Sequence, residues 1–125
     1  MNSMILVAVG GAVGSVFRYQ VGLWALRLFG PLFPWGTLLI NIAGSFVIGL
    51  LTEMILRRFG GSTEMRLLLV TGLCGGFTTF SSFSLEFVGL VERGAIPMAI
   101  AYVAASVILS IAGTFLGLFI GRMAF

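Results

Sequence analysis

Charged side chains are scarce in this chain, and three of the ionisable types are absent. Its 125 residues include no histidine, no lysine and no aspartate, and charged residues make up 9% of the sequence. A soluble domain carries roughly 25% charged residues. Together with a hydrophobic content of 59%, this shortage indicates an integral membrane protein. It also argues against an enzyme, because neither a general acid–base set nor a metal-ligand cluster is available.

Cysteine is nearly absent too, since Cys74 is the only one. A disulfide within residues 1–125 is therefore excluded, and the residue type favours a small buried hydrophobe. The basic charge balance comes from seven arginines, most of which lie near the ends of apolar segments. That position favours anionic lipid headgroups rather than nucleic acid as neighbours.

Charge-free apolar runs divide the chain into four segments. A helix that crosses a bilayer needs roughly 20 apolar residues, and glycine, proline and arginine punctuate the short connections. The predicted helices span residues 4–29, 35–56, 65–91 and 96–120. We therefore expect an all-α, multi-pass membrane protein in which residues 1–125 form a single four-helix transmembrane domain.

Apart from Arg18, which lies inside a segment, the arginines show only a small imbalance between the two ends of these helices. If the termini share one side, that side carries Arg57, Arg58, Arg66 and Arg122, and the other carries Arg27 and Arg93. The positive-inside rule then gives only a weak preference for cytoplasmic termini. Such a small imbalance permits insertion in both orientations, and so an antiparallel homodimer, although any short chain with few charges would show the same balance.

Polar or small residues recur every fourth position, and so on one helix face, in three of the segments. The series are Gly10, Gly14 and Arg18; Thr37, Asn41, Ser45, Gly49 and Glu53; and Tyr102, Ser106, Ser110 and Thr114. Glycine repeats of this kind favour close helix packing. Asn41 is equally consistent with a link between helices and with a pore lining, because either role would satisfy the hydrogen-bonding groups of its amide. Four thin helices cannot bury every such face, which argues for an oligomer.

Arg18 is a charge inside the first apolar segment. An arginine at such a depth is functional, paired or extended towards the membrane surface. The expected partner is Glu86, near the end of the third segment. A salt bridge that holds helices together and attraction of an anion are both open interpretations.

The stretch from Gly72 to Phe87, GLCGGFTTFSSFSLEF, is unusually polar for an apolar segment. Its two adjacent glycines each cost a helix about 1 kcal/mol relative to alanine, and two threonines follow closely. We therefore predict a break in the third helix near Gly75–Thr79. Unwound backbone in a membrane needs protein or a water-filled cavity beside it, where freed carbonyls can bind a cation and freed N–H groups an anion. A glycine pair that only permits close packing is the alternative.

Four phenylalanines follow this predicted break at helical spacing. They are Phe77, Phe80, Phe83 and Phe87. Periodicity alone favours ordinary packing, but serine and threonine accompany the rings. Ring edges carry partial positive charge, so rings, hydroxyls and an amide together suit a small anion without a fixed charge to trap it. Periodicity does not distinguish fluoride from chloride.

The same run, with GxxxGxxxRY ending at Tyr19 and NIAGSFVIG starting at Asn41, resembles the Fluc (CrcB) family of fluoride channels over essentially the whole chain. The resemblance implies an antiparallel, dual-topology homodimer with two pores in the bacterial inner membrane. Such a channel passively exports fluoride and so relieves fluoride toxicity. Its partners would be fluoride, a second copy of the chain and the lipid bilayer.

The resemblance also assigns roles to individual positions. The implied pore residues are Phe80, Phe83, Asn41, Ser81, Ser84, Ser110, Thr114 and Tyr102. The backbone carbonyls of Gly75 and Thr78 would bind a structural Na⁺ at the dimer interface. Arg18 and Glu86 match charged positions whose role the resemblance leaves open. Ser82 stands where family members often have threonine, a difference that keeps the hydroxyl.

The main alternative is a small, four-helix, dimeric exporter of drugs or metabolites. An exporter coupled to protons would need a carboxylate in its first span, whereas this span carries Arg18 and no acid. A purely structural membrane protein would explain the glycine repeats. A structural role would not explain the asparagine, serines and threonines clustered on three helices.

Overall fold

A computed structural model of the chain describes residues 2–125. The helices are α1 (Ser3–Phe29), α2 (Trp35–Arg58), α3 (residues 63–77), α4 (Phe80–Glu92) and α5 (Ile96–Ala124). Helices α3 and α4 together form the third span, so the described residues contain four spans that are long and apolar enough to cross a membrane. The four predicted helices are confirmed, and the second and fourth extend two and four residues further than predicted.

Local signals explain where several helices begin and end. The Asn2 side chain accepts a hydrogen bond from the Met4 N–H at 2.8 Å and so caps the start of α1. Gly30 ends the same helix with a φ of 77°, a value that glycine adopts without steric cost. Ser62 accepts a bond from the Met65 N–H at 3.3 Å at the start of α3. Pro97 lies in the first turn of α5, where its missing N–H costs nothing.

Glycines allow the helices to pack backbone against backbone in two pairs, α1 with α3 and α2 with α5. A Cβ atom added to Gly14 would lie 2.8 Å from the Phe77 backbone nitrogen, and one on Gly117 would lie 2.9 Å from that of Leu50. Neither position has room for a larger residue. The packing interpretation of the glycine repeats is therefore confirmed at these positions.

The break in the third span lies at Thr78 and Thr79. Their ψ angles of 159° and 121° are extended, whereas Gly75 has helical angles of −63° and −37°. The predicted break is thus confirmed, but the glycines themselves do not unwind. The glycines instead allow α1 to pack closely against α3, since a Cβ on Gly76 would lie 3.0 Å from the Gly11 Cα. Most of α3, Arg66–Cys74, is wound as a π-helix.

The interior of a single chain is small. Its main apolar cluster consists of Leu38, Leu90, Ala99 and Tyr102, on α2, α4 and α5. Many large apolar side chains of α1 and α5 are exposed on the single chain. In a bilayer these faces meet lipid or another protein surface rather than water.

Candidate functional site

The break is held open by a pair of hydrogen bonds from Asn41 on α2. Its Nδ2 donates to the Thr79 carbonyl, and its Oδ1 accepts from the Thr79 N–H, both at 2.9 Å. One of the two N–H groups of the amide is left over. The two interpretations of Asn41 are therefore compatible, because the residue links two helices and also lines a cavity.

These side-chain bonds free two backbone carbonyls. In a continuous helix the Thr79 N–H would donate to the Gly75 carbonyl, but here it donates to Asn41. The Ser82 N–H donates to the Thr79 Oγ1 at 3.2 Å rather than to the carbonyl of Thr78. Freed carbonyl oxygens suit a hard cation such as Na⁺. The residues therefore fit the implied metal, and Gly75 is exposed on the single chain, so a second copy can add further oxygens.

No cluster of the usual ionisable metal ligands occurs along residues 2–125. Within that range no group of three or more histidine, cysteine, aspartate or glutamate side chains comes together. A cation at the break would be held by the freed backbone oxygens. Such a donor set carries no formal charge, which favours a monovalent ion over a transition metal.

A cavity of about 310 Å³ lies beside the break, between α2, α4 and α5. Its polar and aromatic lining comprises Asn41, Ser45, Thr78, Thr79, Phe80, Phe83, Ser106 and Ser110. Four of the predicted pore residues, Asn41, Phe80, Phe83 and Ser110, are thus brought together from three helices. Among residues 2–125, no charged side chain lines this cavity.

Three buried hydroxyls along α5 have no hydrogen-bond partner among residues 2–125. They belong to Tyr102, Ser106 and Ser110. Their spacing of four residues places them on one face of the helix over roughly 12 Å. Buried polar groups nearly always have partners, so this row is the least satisfied part of the molecule. Ser106 was not among the predicted pore residues, although its place in the four-residue series was the available signal.

The phenylalanine rings form one wall of this cavity. The Phe80 and Phe83 rings have centroids 5.6 Å apart, and Phe83 lies 5.1 Å from the ring of Tyr102. Phe80 is 78% exposed on the single chain. The Phe80 part of the wall is therefore open on the single chain.

Four other predicted pore residues do not line this cavity, and Tyr102 is one of them. The Ser84 hydroxyl donates to the Phe80 carbonyl at 3.1 Å, within its own helix. The Thr114 hydroxyl donates to the Ser45 carbonyl at 3.1 Å and so joins α5 to α2. Ser81 is exposed, with its Oγ 3.4 Å from the Thr79 Oγ1. A pore role for these three hydroxyls and for Tyr102 stays a prediction.

A second, larger cavity of about 530 Å³ lies on the other side of Thr79, which lines both. Its lining includes Arg18, Glu86 and Arg93. The expected pairing of Arg18 with Glu86 is wrong. The Arg18 Nε donates to the Gly76 carbonyl at 3.0 Å, beside the break, and Glu86 accepts from the Thr37 hydroxyl at 2.6 Å. The break provides a carbonyl for the guanidinium, which therefore does not need the carboxylate.

Comparison with known proteins shows the family of this chain. A model of the family described as CrcB-like protein, Camphor Resistance (CrcB), matches residues 5–118. A fluoride-specific ion channel FluC of Agrobacterium fabrum is 61% identical over 125 residues, which is the whole of both chains. FluC proteins of Rhizobium etli and Mesorhizobium japonicum are 59% and 52% identical over 122 residues, 98% of each chain. This chain belongs to the CrcB-like protein family.

Proposed function

We propose that this chain is a fluoride-selective ion channel that exports fluoride passively. The observation that carries the proposal is the pair of unpartnered hydroxyls on Ser106 and Ser110, which line the cavity beside the phenylalanine wall. Unsatisfied donors inside a membrane protein require an acceptor. The relatives described above bear the name fluoride-specific ion channel, which supports fluoride as that acceptor.

The lining matches the chemistry of fluoride. Fluoride is small, strongly hydrated and a strong hydrogen-bond acceptor, so a pore must replace its water with close donors. The hydroxyls of Ser106 and Ser110 and the remaining N–H of Asn41 supply such donors. The ring edges of Phe80 and Phe83 add partial positive charge. Because no formal charge lines the cavity, the ion can enter without being trapped.

The larger cavity serves as the entrance. Arg18 and Arg93 give it positive charge, and its single carboxylate, on Glu86, is bonded to Thr37. Positive charge in an aqueous cleft raises the local concentration of anions. Thr79 lines both cavities, so an anion drawn into the entrance would pass the break before it reaches the hydroxyl row.

The channel would be an antiparallel homodimer inserted in both orientations in the bacterial inner membrane. A single chain leaves Phe80 78% exposed, and a second copy would cover this wall. The small imbalance of arginines between the two sides permits both orientations. Two copies related by a two-fold axis would give two equivalent pores.

Sodium would be a structural ion at the axis of this dimer. The Gly75 and Thr78 carbonyls of each copy would hold it, because the bonds made by Asn41 and Ser82 leave those oxygens free. The positive charge of the ion would attract the carbonyl oxygens at the breaks of both copies and so link the two copies. Replacing Na⁺ by a large organic cation throughout purification should impair both fluoride efflux and dimer stability, and no change in either would count against the site.

Efflux from liposomes tests the function. Purified protein should release trapped fluoride, followed with an ion electrode, far faster than trapped chloride. Equal release of both ions, or release of neither, would refute the channel. Empty liposomes and liposomes that contain an unrelated four-helix membrane protein are the controls.

The phenylalanine wall has a separate test. Phe80→Ile and Phe83→Ile should slow fluoride efflux strongly and leave a folded dimer, because isoleucine keeps the bulk and removes the polar ring edge. Phe87→Ile is the matched control, since Phe87 belongs to the same stripe but packs against the apolar cluster. If efflux is unchanged in both wall variants, the rings are packing residues only.

A further inference from the structure

A buried carboxylate lies at the end of the molecule where α2 and α5 finish. Glu53 is 5% exposed. Its Oε2 accepts from the Arg57 Nε and its Oε1 from the Arg122 Nε, each at 2.9 Å. One glutamate therefore orients two arginines that come from different helices. None of the three lines either cavity of the candidate pore.

Each of the two arginines uses only one of its donor groups in this arrangement. Each guanidinium has five N–H donors, and within residues 2–125 only the Nε of Arg57 and of Arg122 donates a hydrogen bond. The side chains are 44% and 57% exposed. Both Nη groups of each arginine are thus left for a ligand outside the chain, and Glu53 has already restricted their orientation.

Charge and position identify the ligand class. Two arginines and one glutamate carry a net charge of +1, which one monoanionic phosphodiester neutralises. Planar guanidinium groups match phosphate oxygens in pairs. The cluster lies at a helix end, and the residues next to its arginines in the chain, Leu56 and Met123, are exposed and apolar, so an acyl chain can contact the protein near the headgroup.

We propose that Arg57 and Arg122, held by Glu53, bind the phosphodiester of an anionic lipid headgroup. A lipid such as phosphatidylglycerol fits, because its only charge is the phosphodiester. Phosphatidylcholine fits less well, since its own ammonium group already balances the phosphate. The site is independent of the fluoride pathway, and an antiparallel dimer would present one copy of it at each face of the membrane.

Native mass spectrometry of the detergent-solubilised full chain tests the site, with phosphatidylglycerol titrated against phosphatidylcholine. Arg57→Gln and Arg122→Gln should each weaken phosphatidylglycerol binding at least about tenfold, because each removes a charge-assisted donor pair. Arg58→Gln is the matched control, because it removes the same charge at the same end without touching Glu53. It should weaken binding about fivefold or less. Equal effects of all three variants would overturn the proposal.

Glu53→Gln distinguishes two explanations of lipid binding: a pair of arginines oriented by Glu53, and a basic surface that needs no such orientation. The substitution adds one unit of net positive charge, so a basic surface would bind phosphatidylglycerol more tightly. A pair that depends on its orientation would bind more weakly, which is the result we expect. Thermal unfolding measured without lipid shows whether the Glu53 variant is misfolded. If it is, the variant of Arg122, whose side chain is more exposed, decides the test alone. Displacement of the lipid by inorganic phosphate at equal concentration would assign the site to free phosphate and overturn the lipid assignment.

Discussion

Replacing Asn41 by alanine should destabilise the folded protein, because the amide satisfies both backbone groups of Thr79. A buried group that loses its partner costs about 1–3 kcal/mol, whereas interhelical hydrogen bonds in membranes average about 0.6 kcal/mol. Loss of the two bonds should therefore lower the free energy of unfolding by between about 1 and 6 kcal/mol. Since Thr79 lines both cavities, water can replace part of what is lost. We expect the lower part of this range, about 1–3 kcal/mol.

Reversible unfolding of the purified protein in mixed micelles measures this difference directly. The control is Ser45→Ala, one helical turn along α2, because Ser45 lines the same cavity but gives Thr114 its backbone carbonyl rather than its side chain. The Thr79 amide should also exchange hydrogen faster in the Asn41 variant. An unfolding free energy within about 0.5 kcal/mol of wild type, the range of ordinary surface substitutions, would show that Asn41 does not hold the break.

Two further predictions concern packing and the hydroxyl row. Gly14→Ala should destabilise the protein strongly, because its Cβ would lie 2.8 Å from the Phe77 nitrogen, whereas Gly22→Ala meets nothing within 4 Å and should be neutral or stabilising by up to about 1 kcal/mol. Equal unfolding free energies for the two variants would contradict the packing. Ser106→Ala and Ser110→Ala should slow fluoride efflux without loss of stability, since neither hydroxyl has a protein partner, and a large loss of stability in either would contradict that.

Several parts of the structure could be predicted from the sequence. The four spans follow from the length of the apolar runs, because a bilayer needs roughly 20 apolar residues per helix. The break near Gly75–Thr79 follows from low helix propensity in that stretch. The four-residue series on α5 already placed Tyr102, Ser106 and Ser110 on one face. Each of these signals depends on residues close together in the chain.

The partners of the polar side chains could not be predicted in this way. Arg18 was expected to pair with Glu86, but it bonds the Gly76 carbonyl, which becomes a partner only when α1 packs against the break. The exact place of the break follows from Asn41, 38 residues away from Thr79. Glu53 looked like the end of a polar stripe and is instead enclosed by Arg122 from α5.

Hydropathy and periodicity alone therefore determined that this chain has four segments long and apolar enough to cross a membrane, and they indicated which faces are polar. The tertiary structure decided which polar groups satisfy one another and which are left without a partner. The physical reason is that a span depends on the summed transfer free energy of neighbouring residues, whereas a hydrogen bond depends on a distance of about 3 Å between atoms of different helices. The three unpartnered hydroxyls of α5 became visible only at that level.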